Sequence, residues 1–454
     1  MSSTMVGAGI CALSPSLLFL SPRGIIRRYL RTIVRWEDPS TRSTQELPLL
    51  AHNFAPLTNG DCDPRQSREC GGTKYLDAVV VDDTTRASNA MAIVQTGRAL
   101  VYEGDFRNAR QLLAALGRRV DKHLTPTPDD VLRRAPSAKD QWDCHRRIVI
   151  EKARTANMLL MRVDHLLGLS PFYKRSLRGP IVEALEDAFR KQNAPYLLPL
   201  RQILGTNGSY QWKKNGVFVS QLGERIYPHF GVFAPIRSEY LDLFSRVEVP
   251  LSLTMEGGRL MDVGVGTGII TAIILSRHRN MNAICIDNNS RAVECAKDNF
   301  SKLGLSNRTE VIESDIFPRT SSSNAAGKAD IIVCNPPWIP GLAHSPLDSA
   351  IYDQGSSFLR RFLLGVGKHL SDHKDAEIWL VISDLAERLE LRAWEEVEEM
   401  LKDGGLRVEG SPHRTVARHP KAKGAKNDAF GLPFPAVAKA RAKERTSLYR
   451  LRRS

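Results

Sequence analysis

The chain has 454 residues, of which 42% are hydrophobic and 25% are charged, and it carries a formal net charge of +14. This is a globular composition, and the length allows one large or two ordinary domains. The basic charge favours polyanionic partners such as RNA or DNA, although charge bears on association and not on fold. Seven cysteines form no Cys-x-x-Cys pair, which argues against a zinc site or a disulfide framework, so no metal is predicted.

The N-terminal segment is rich in arginine. Its first 36 residues contain five arginines but no lysine and no acid, and the apolar residues of 26–34 repeat at helical spacing. Such a start is typical of organellar transit peptides, so residues 1–36 predict a mitochondrial or other organellar address; an ordinary disordered terminus is the alternative and would leave a cytoplasmic protein. No segment is long and apolar enough to span a bilayer, so no membrane partner is predicted.

Composition and periodicity divide the next part of the chain into three segments. Residues 37–83 are rich in Pro, Ser, Thr, Asn, Asp and Gly and predict a linker. Residues 84–205 carry apolar residues at three- and four-residue steps and predict a mainly helical domain. Residues 206–234 predict a β-hairpin connector, because Lys214-Asn215-Gly216 lies between alternating apolar residues.

From about residue 255 the pattern changes to repeated strand, loop and helix. "RLMDVG", "NAICID", "TEVIESD", "ADIIVCN" and "AEIWLVISD" predict strands separated by helices, and this alternation predicts a mainly parallel sheet with helices on both faces. "LRVEG" and "TSLYRLRR" supply the last two strands. Residues 235–454 thus predict a second, α/β domain, with a basic insert at 411–445 that offers a nucleic-acid contact or is a solvated loop.

A glycine turn, "DVGVGTG", follows the first strand of this domain and precedes a helix. Glycines there let the backbone approach a bound nucleoside. The dinucleotide fingerprint would require glycine at position 269, which is Ile269, so the pattern favours a nucleoside without a pyrophosphate. The candidate ligands at this turn are Asp262, Gly264, Gly266 and Gly268.

Two further acids stand at strand ends. Asp287 ends the second strand, where a carboxylate can accept both ribose hydroxyls, and Asp315 ends the third, where it can accept an adenine amino group. The carboxyl ends of parallel strands meet at one edge of the sheet, where ligands of such sheets bind. The sequence therefore predicts a nucleoside site at this edge.

The fourth strand ends in "NPPW". Prolines fix the backbone and cannot join a strand ladder. The side-chain oxygen of Asn335 and the carbonyl of Pro336 can then both accept from an incoming NH₂ group, with Pro337 fixing the turn and Trp338 offering a flat apolar face. Such a site suits a conjugated amide or amino nitrogen. It would contribute to catalysis by positioning this nitrogen and by electrostatic stabilisation.

These motifs, in this order, resemble those of class I methyltransferases that use S-adenosylmethionine, and particularly the group that methylates release-factor glutamine or the N6 of adenine. "VFAPIRSEYLDLF" corresponds to the segment that precedes the glycine turn in that group, with Pro235, Arg237 and Glu239 as counterparts. "YDQGSSFLRRFL" corresponds to the segment that follows the NPP motif. The sequence departs from the group at Ser238, where threonine is expected, at Trp338, where the glutamine enzymes carry tyrosine, and in the basic insert.

The resemblance implies a Rossmann-like, seven-stranded methyltransferase domain preceded by the helical domain and the hairpin. It also implies roles for the candidate residues: Asp262 and the glycines hold the methionine part of S-adenosyl-L-methionine, Asp287 the ribose and Asp315 the adenine, while Asn335 and Pro336 bind the target nitrogen and Trp338 stacks on it. Asn335 is a candidate for cofactor binding as well, because it lies beside the same crevice.

The resemblance supports the reaction better than the substrate. The stretch before the glycine turn and the preceding domain favour a protein glutamine acceptor, whereas the basic charge and the insert favour an exocyclic base amine, adenine N6 or guanine N2, in RNA or DNA. An inactive nucleic-acid-binding module would show degenerate glycines or a lost Asn335, and a nicotinamide oxidoreductase would leave "NPPW" unexplained.

Overall fold

The computed structural model describes residues 31–50, 73–163, 180–189, 194–235, 239–318, 328–344, 347–416 and 434–454. Most of the predicted transit segment therefore lies outside the described residues. Among those described, no helix combines the length and apolar character needed to cross a membrane.

The N-terminal part of the chain forms six strands and six helices among its described residues. They are, in chain order, β1 (Arg31–Glu37), β2 (Thr44–Pro48), β3 (Thr73–Val81), α1 (Ala87–Gln95), β4 (Ala99–Tyr102), α2 (Phe106–Leu124), α3 (Pro128–Arg134), α4 (Ala138–Asn157), β5 (Leu159–Val163), α5 (Pro180–Phe189), β6 (Tyr196–Pro199) and α6 (Leu200–Asn215).

The six strands form one curled, mixed sheet in the order β2-β1-β3-β4-β5-β6. Strands β1, β3, β4 and β5 run parallel, and β2 and β6 are antiparallel to their neighbours. The two ends of the sheet meet, because the Leu50 amide donates to the Leu197 carbonyl (3.0 Å). A single apolar cluster, which includes Trp36, Leu100, Leu116 and Leu160, fills the space between this sheet and its helices.

The prediction of a helical domain over 84–205 was wrong, because three strands lie within it. Strand β5 follows α4 after one residue, so its apolar run continued the helical pattern in the sequence. The predicted linker 37–83 was also wrong, since it contains β2 and β3. The end of the predicted transit segment 1–36 belongs to the fold, because residues 31–37 form a strand whose alternate side chains, Val34 and Trp36, are buried. An organellar address stays a prediction.

A short hairpin connects the two parts of the chain: β7 (Val217–Val219) pairs with β8 (Glu224–Ile226). A hairpin was predicted here, but its turn was placed wrongly at 214–216. Helix α6 continues to Asn215 and ends at Gly216, whose φ of +68° suits the end of a helix.

The C-terminal part contains the predicted alternation. Its elements are α7 (Glu239–Arg246), α8 (Leu251–Met255), β9 (Arg259–Val263), α9 (Ile269–Arg277), β10 (Asn282–Asp287), α10 (Ser290–Lys302), β11 (Thr309–Glu313), β12 (Ile331–Cys334), β13 (Ile339–Pro340), β14 (Tyr352–Asp353), α11 (Ser357–Val366), β15 (Glu377–Ser383), α12 (Leu385–Arg388), α13 (Trp394–Asp403), β16 (Leu406–Val408), β17 (His413–Val416), α14 (Pro435–Ala442) and β18 (Arg445–Arg453).

The main sheet has the order β11-β10-β9-β12-β15-β18-β16, with β17 also paired to β18. Strands β9 to β12 and β15 run parallel, whereas β18 is antiparallel to β15, β16 and β17. Helices α7 to α10 cover one face and α11 and α13 the other. The central strands read as unbroken apolar runs because both faces are covered.

The sheet has eight strands where seven were predicted, since the start of the basic insert forms β17. The nine-residue β18 is long enough to pair with both β16 and β17. The end of the insert is also ordered: α14 packs on α4, where the Ala436 amide donates to the Gln141 side chain (2.8 Å). Residues 417–433 of the insert lie outside the described residues.

Candidate active site

The candidate site lies at the carboxyl ends of β9 and β12. Strands β10 and β11 extend the sheet on one side of β9, whereas β12 and β15 extend it on the other. The chain therefore leaves β9 and β12 in opposite directions, and ligands of doubly wound sheets bind at such switch points. The ends of β9, β10 and β12 carry Asp262, Asp287 and Asn335, so the structure brings the predicted residues of these strands to one edge.

The turn between β9 and α9 requires glycine. Gly264, Gly266 and Gly268 have φ angles of +82°, +53° and +81°. A β-carbon on Gly264 would meet no atom within 4 Å, so the space beside this backbone is open to a ligand. A β-carbon on Gly268 would lie 2.8 Å from the ring of Phe300. The first glycine thus leaves a cradle, and the third allows α9 and α10 to pack closely.

Asp262 is fully buried beneath this turn. One carboxylate oxygen accepts the hydroxyl of Thr271 (2.6 Å), whereas the other, Oδ1, is buried with no hydrogen-bond partner among the described residues. Burial raises the pKa of Asp262 to about 7, and the Thr271 bond offsets only part of this effect. An unpaired buried acceptor is costly, so Oδ1 is a natural ligand position for a donor or a cation.

Asp262 should make the stability of the ligand-free protein depend on pH. Its pKa is raised on folding, so the folded state holds the proton more tightly and loses stability as the pH rises from about 4 to about 7. We expect Asp262→Asn to gain stability relative to wild type over this interval, by up to about 1.4 kcal/mol per pH unit. Urea unfolding of both proteins at several pH values measures this difference, and a constant difference would contradict the prediction.

Asp287 holds the glycine turn from the neighbouring strand. One carboxylate oxygen accepts the amide of Gly266 (3.0 Å) and the other accepts the amide of Asn289 (2.9 Å). Burial raises the pKa of Asp287, and these amide bonds offset part of the increase. Each carboxylate oxygen retains a further lone pair, so the side chain can still accept ligand hydroxyls.

Asp315 lies just beyond β11, and its exposed carboxylate accepts from the guanidinium of Arg361 on α11. The next residue, Ile316, is buried and has a φ of +61°, which is an outlier for a β-branched residue. Strain of this kind concentrates at ligand sites, where the surroundings hold it in place.

Asn335 follows β12 directly, two residues beyond Val333, which pairs with Asp262. Its side-chain oxygen is buried and has no partner among the described residues. Pro336 is buried and Pro337 partly buried, so the backbone beside this oxygen is fixed. The site therefore contains two buried, unpaired acceptors, one on β9 and one after β12.

Trp338 is partly buried, and its indole nitrogen donates to the carbonyl of Val381 on β15 (3.2 Å). The ring packs against the apolar clusters on both sides of this loop. Its stacking on a target group stays a prediction.

Sequence reasoning missed Thr271, Arg361 and Asn299. The Asn299 side chain accepts the Tyr227 amide (2.8 Å) and donates to the Thr267 carbonyl (2.9 Å), which ties the segment after the hairpin to the glycine turn. A buried polar residue on the apolar face of the amphipathic helix α10 was the available signal. Thr271 and Arg361, the partners of Asp262 and Asp315, left no signal in the sequence, because these pairs form only through tertiary contacts.

The segment that precedes the glycine turn is described only in part. Pro235 is buried and Glu239, fully buried, begins α7, whereas Arg237 lies outside the described residues.

Comparison with known proteins shows that the chain is similar to methyltransferases. Residues 225–363 match the family called Methyltransferase small domain. A Methanocaldococcus jannaschii protein named as a protein N5-glutamine methyltransferase is 30% identical over 154 residues, which are 33% of this chain and 71% of that protein. The release factor glutamine methyltransferase of Aliivibrio fischeri is 41% identical over 96 residues, 21% of this chain and 32% of that protein.

Ribosomal RNA small subunit methyltransferase C of an Enterobacter species is 29% identical over 115 residues, 25% of this chain and 31% of that protein. The chain thus spans about a third of the length of the release factor and ribosomal RNA relatives it matches.

The sheet order and the acids at its strand ends define an α/β domain of the class I methyltransferase type. The chain belongs to the Methyltransferase small domain family.

Proposed function

We propose that this protein is an N-methyltransferase that uses S-adenosylmethionine and acts on a planar amide or amino nitrogen, with a protein glutamine as the favoured acceptor. The observation that carries the proposal is the buried, unpaired side-chain oxygen of Asn335, fixed by Pro336 and Pro337 at the switch point of the sheet. An acceptor that is buried with no partner among the described residues suits a ligand that donates to it.

The residues at the edge of the sheet fit the cofactor. Asp262 has an unpaired oxygen for a donor or cation of the methionine part, and the open space beside Gly264 admits a ligand close to the backbone. Asp287 retains acceptor capacity for ribose hydroxyls. We assign Asp315, whose carboxylate accepts from Arg361, to the adenine amino group. S-adenosylmethionine supplies, when bound, an electrophilic methyl group on a sulfonium.

The acceptor nitrogen of an amide is a weak nucleophile because its lone pair is conjugated. Asn335 and the carbonyl of Pro336 accept its two N–H groups, which orients the nitrogen and favours the geometry in which its lone pair faces the electrophile. The bonds are made by fixed dipoles, so the protein needs no strong general base at this position.

The loop after Trp338 favours a polypeptide acceptor. Residues 339–353 contain no lysine or arginine. They expose three aliphatic side chains, Leu342 (54% exposed), Leu347 (44%) and Ile351 (37%). A phosphate backbone is bound by cations, whereas exposed aliphatic groups beside an active site suit a protein partner.

A base amine in RNA or DNA is the second candidate. The net charge of +14, the basic insert 411–445 and the relatives named for ribosomal RNA and tRNA adenine methylation support it.

The experiment is a transfer assay with methyl-labelled S-adenosylmethionine and cell extract, with parallel samples treated with protease or nuclease. Label that survives nuclease and is lost to protease supports a protein acceptor, and acid hydrolysis to N5-methylglutamine identifies the residue. Label lost to nuclease supports the base amine. Absence of cofactor binding by the purified protein contradicts the proposal as a whole.

A further inference from the structure

We propose that Arg146 is a positioning residue through which the N-terminal domain holds the loop that follows the NPPW motif in its productive conformation. The inference rests on the proposed function, since it assigns the loop a role in holding the acceptor.

Arg146 lies on α4 and reaches the C-terminal domain. Its guanidinium stands 3.8 Å from the centre of the Tyr352 ring and makes a long hydrogen bond to the carbonyl of Leu342 (3.4 Å). Within the described ranges it has no acidic partner in an ion pair. A partly buried arginine placed over an aromatic face gains a cation–π attraction that strengthens as water is excluded. Its two contacts bracket the loop, one at each end.

Tyr352 connects this arginine to the motif. It begins β14, which pairs with β13 directly after Trp338. The Ile339 amide donates to the Ile351 carbonyl (3.0 Å), and the Gly341 amide donates to the Asp353 carbonyl (3.3 Å). The indole of Trp338 is held from the other side by β15. The motif is therefore fixed on one side by the main sheet and on the other by a two-residue ladder in which Tyr352 pairs with Ile339.

The position of Arg146 is itself fixed by the contact between α4 and α14. Gln141, one turn earlier on α4, accepts the Ala436 amide, and the ring of His145 meets the buried ring of Phe434 edge-on (5.7 Å between centres). Burial and the nearby Arg441 and Arg146 lower the pKa of His145 to about 4, so it is neutral at physiological pH and does not repel Arg146.

The two-residue ladder of β13 and β14 is too short to be stable alone. It needs a support outside the sheet, and Arg146 supplies one from a domain none of whose described residues belongs to the candidate cofactor site. The N-terminal domain thereby affects the acceptor side of the site without contacting the cofactor.

The test compares Arg146→Ala with Arg147→Ala, its exposed neighbour on the same helix, in the full-length protein. We expect Arg146→Ala to lower kcat about tenfold with the Kd of S-adenosylmethionine changed less than twofold. We also expect faster hydrogen exchange at the amides of Ile339 and Gly341, with Arg147→Ala unchanged in every readout. Tyr352→Phe keeps the ring and loses only the hydroxyl's interaction with Arg146, so it should show a smaller change than Arg146→Ala. Tyr352→Leu should reproduce the Arg146→Ala result.

Equal exchange at residues 339 and 341 in Arg146→Ala and Arg147→Ala would overturn the proposal. The proposal would also be overturned if the lower kcat of Arg146→Ala were accompanied by an equal loss of cofactor affinity or of global stability. If Arg146→Ala does not fold, Arg146→Lys retains the charge but not the planar guanidinium, and faster exchange there supports the proposal. The exchange measurement needs no acceptor, so it decides the positioning role even if the transfer assay fails.

Discussion

Asn335→Ala should lower kcat for methyl transfer by about 100- to 1000-fold and leave the Kd of S-adenosylmethionine within about threefold. The variant removes one of two acceptors that orient the target nitrogen, and a preorganised polar contact of this kind lowers the barrier by about 2.7–4 kcal/mol. The side-chain oxygen has no partner in the described protein, so its loss breaks no structural hydrogen bond. Single-turnover rates and cofactor titration measure the two effects separately.

Asn307→Ala is the matched control for this variant. Asn307 is exposed in the turn before β11, at the opposite edge of the sheet, and its substitution should change neither rate nor affinity. A loss of less than threefold in Asn335→Ala would contradict the acceptor role of Asn335. An equal loss of cofactor affinity would instead place its function in cofactor binding.

Gly268→Ala should lower the free energy of unfolding by about 3 kcal/mol. The left-handed conformation costs about 1–2 kcal/mol for a residue with a β-carbon. The added methyl group would also lie 2.8 Å from the ring of Phe300, which is buried and cannot move freely, and such overpacking costs about 1–3 kcal/mol. Urea unfolding measures the loss. Because Gly268 is the N-cap of α9 and belongs to the glycine turn, we also expect weaker cofactor binding.

Gly304→Ala separates the two costs. Gly304 has a similar φ of +68°, but a β-carbon there would meet no atom within 4 Å. This variant should therefore lose only the conformational part. Equal losses in the two variants would show that contact with Phe300 has no effect on stability.

The sequence predicted the C-terminal domain well because its signals are local. Buried parallel strands read as short apolar runs, and the turn after β9 needs glycine for reasons of backbone conformation alone. Placing Asp262, Asp287 and Asn335 at one edge then required only that parallel strands share a direction. The partners of these residues were not predictable in this way, because Thr271 and Arg361 meet them through the packing of helices.

The N-terminal domain illustrates the opposite case. The segment 31–37 matches helical spacing and strand alternation about equally, and its neighbour in the sheet, β3, lies some forty residues further along the chain. Strand β5 was missed for a similar reason: its apolar run directly follows α4 in the sequence, and its partners β4 and β6 are distant along the chain. Long-range pairing decided the conformation of both segments, and no local pattern records it.

Strand β18 follows β16 and β17 in the sequence, yet it lies inside the sheet between β15 and β16. During synthesis, β9 to β12 can pair as soon as they leave the ribosome. One side of β15 stays unpaired until residues 445–453 have been made. Glu377, which is fully buried in the folded protein, also lacks its ion-pair partners until then, because Arg450 and Arg452 of β18 donate to its carboxylate. A chain that stops before residue 445 would therefore expose an apolar, unpaired strand edge, and such edges pair readily with other chains.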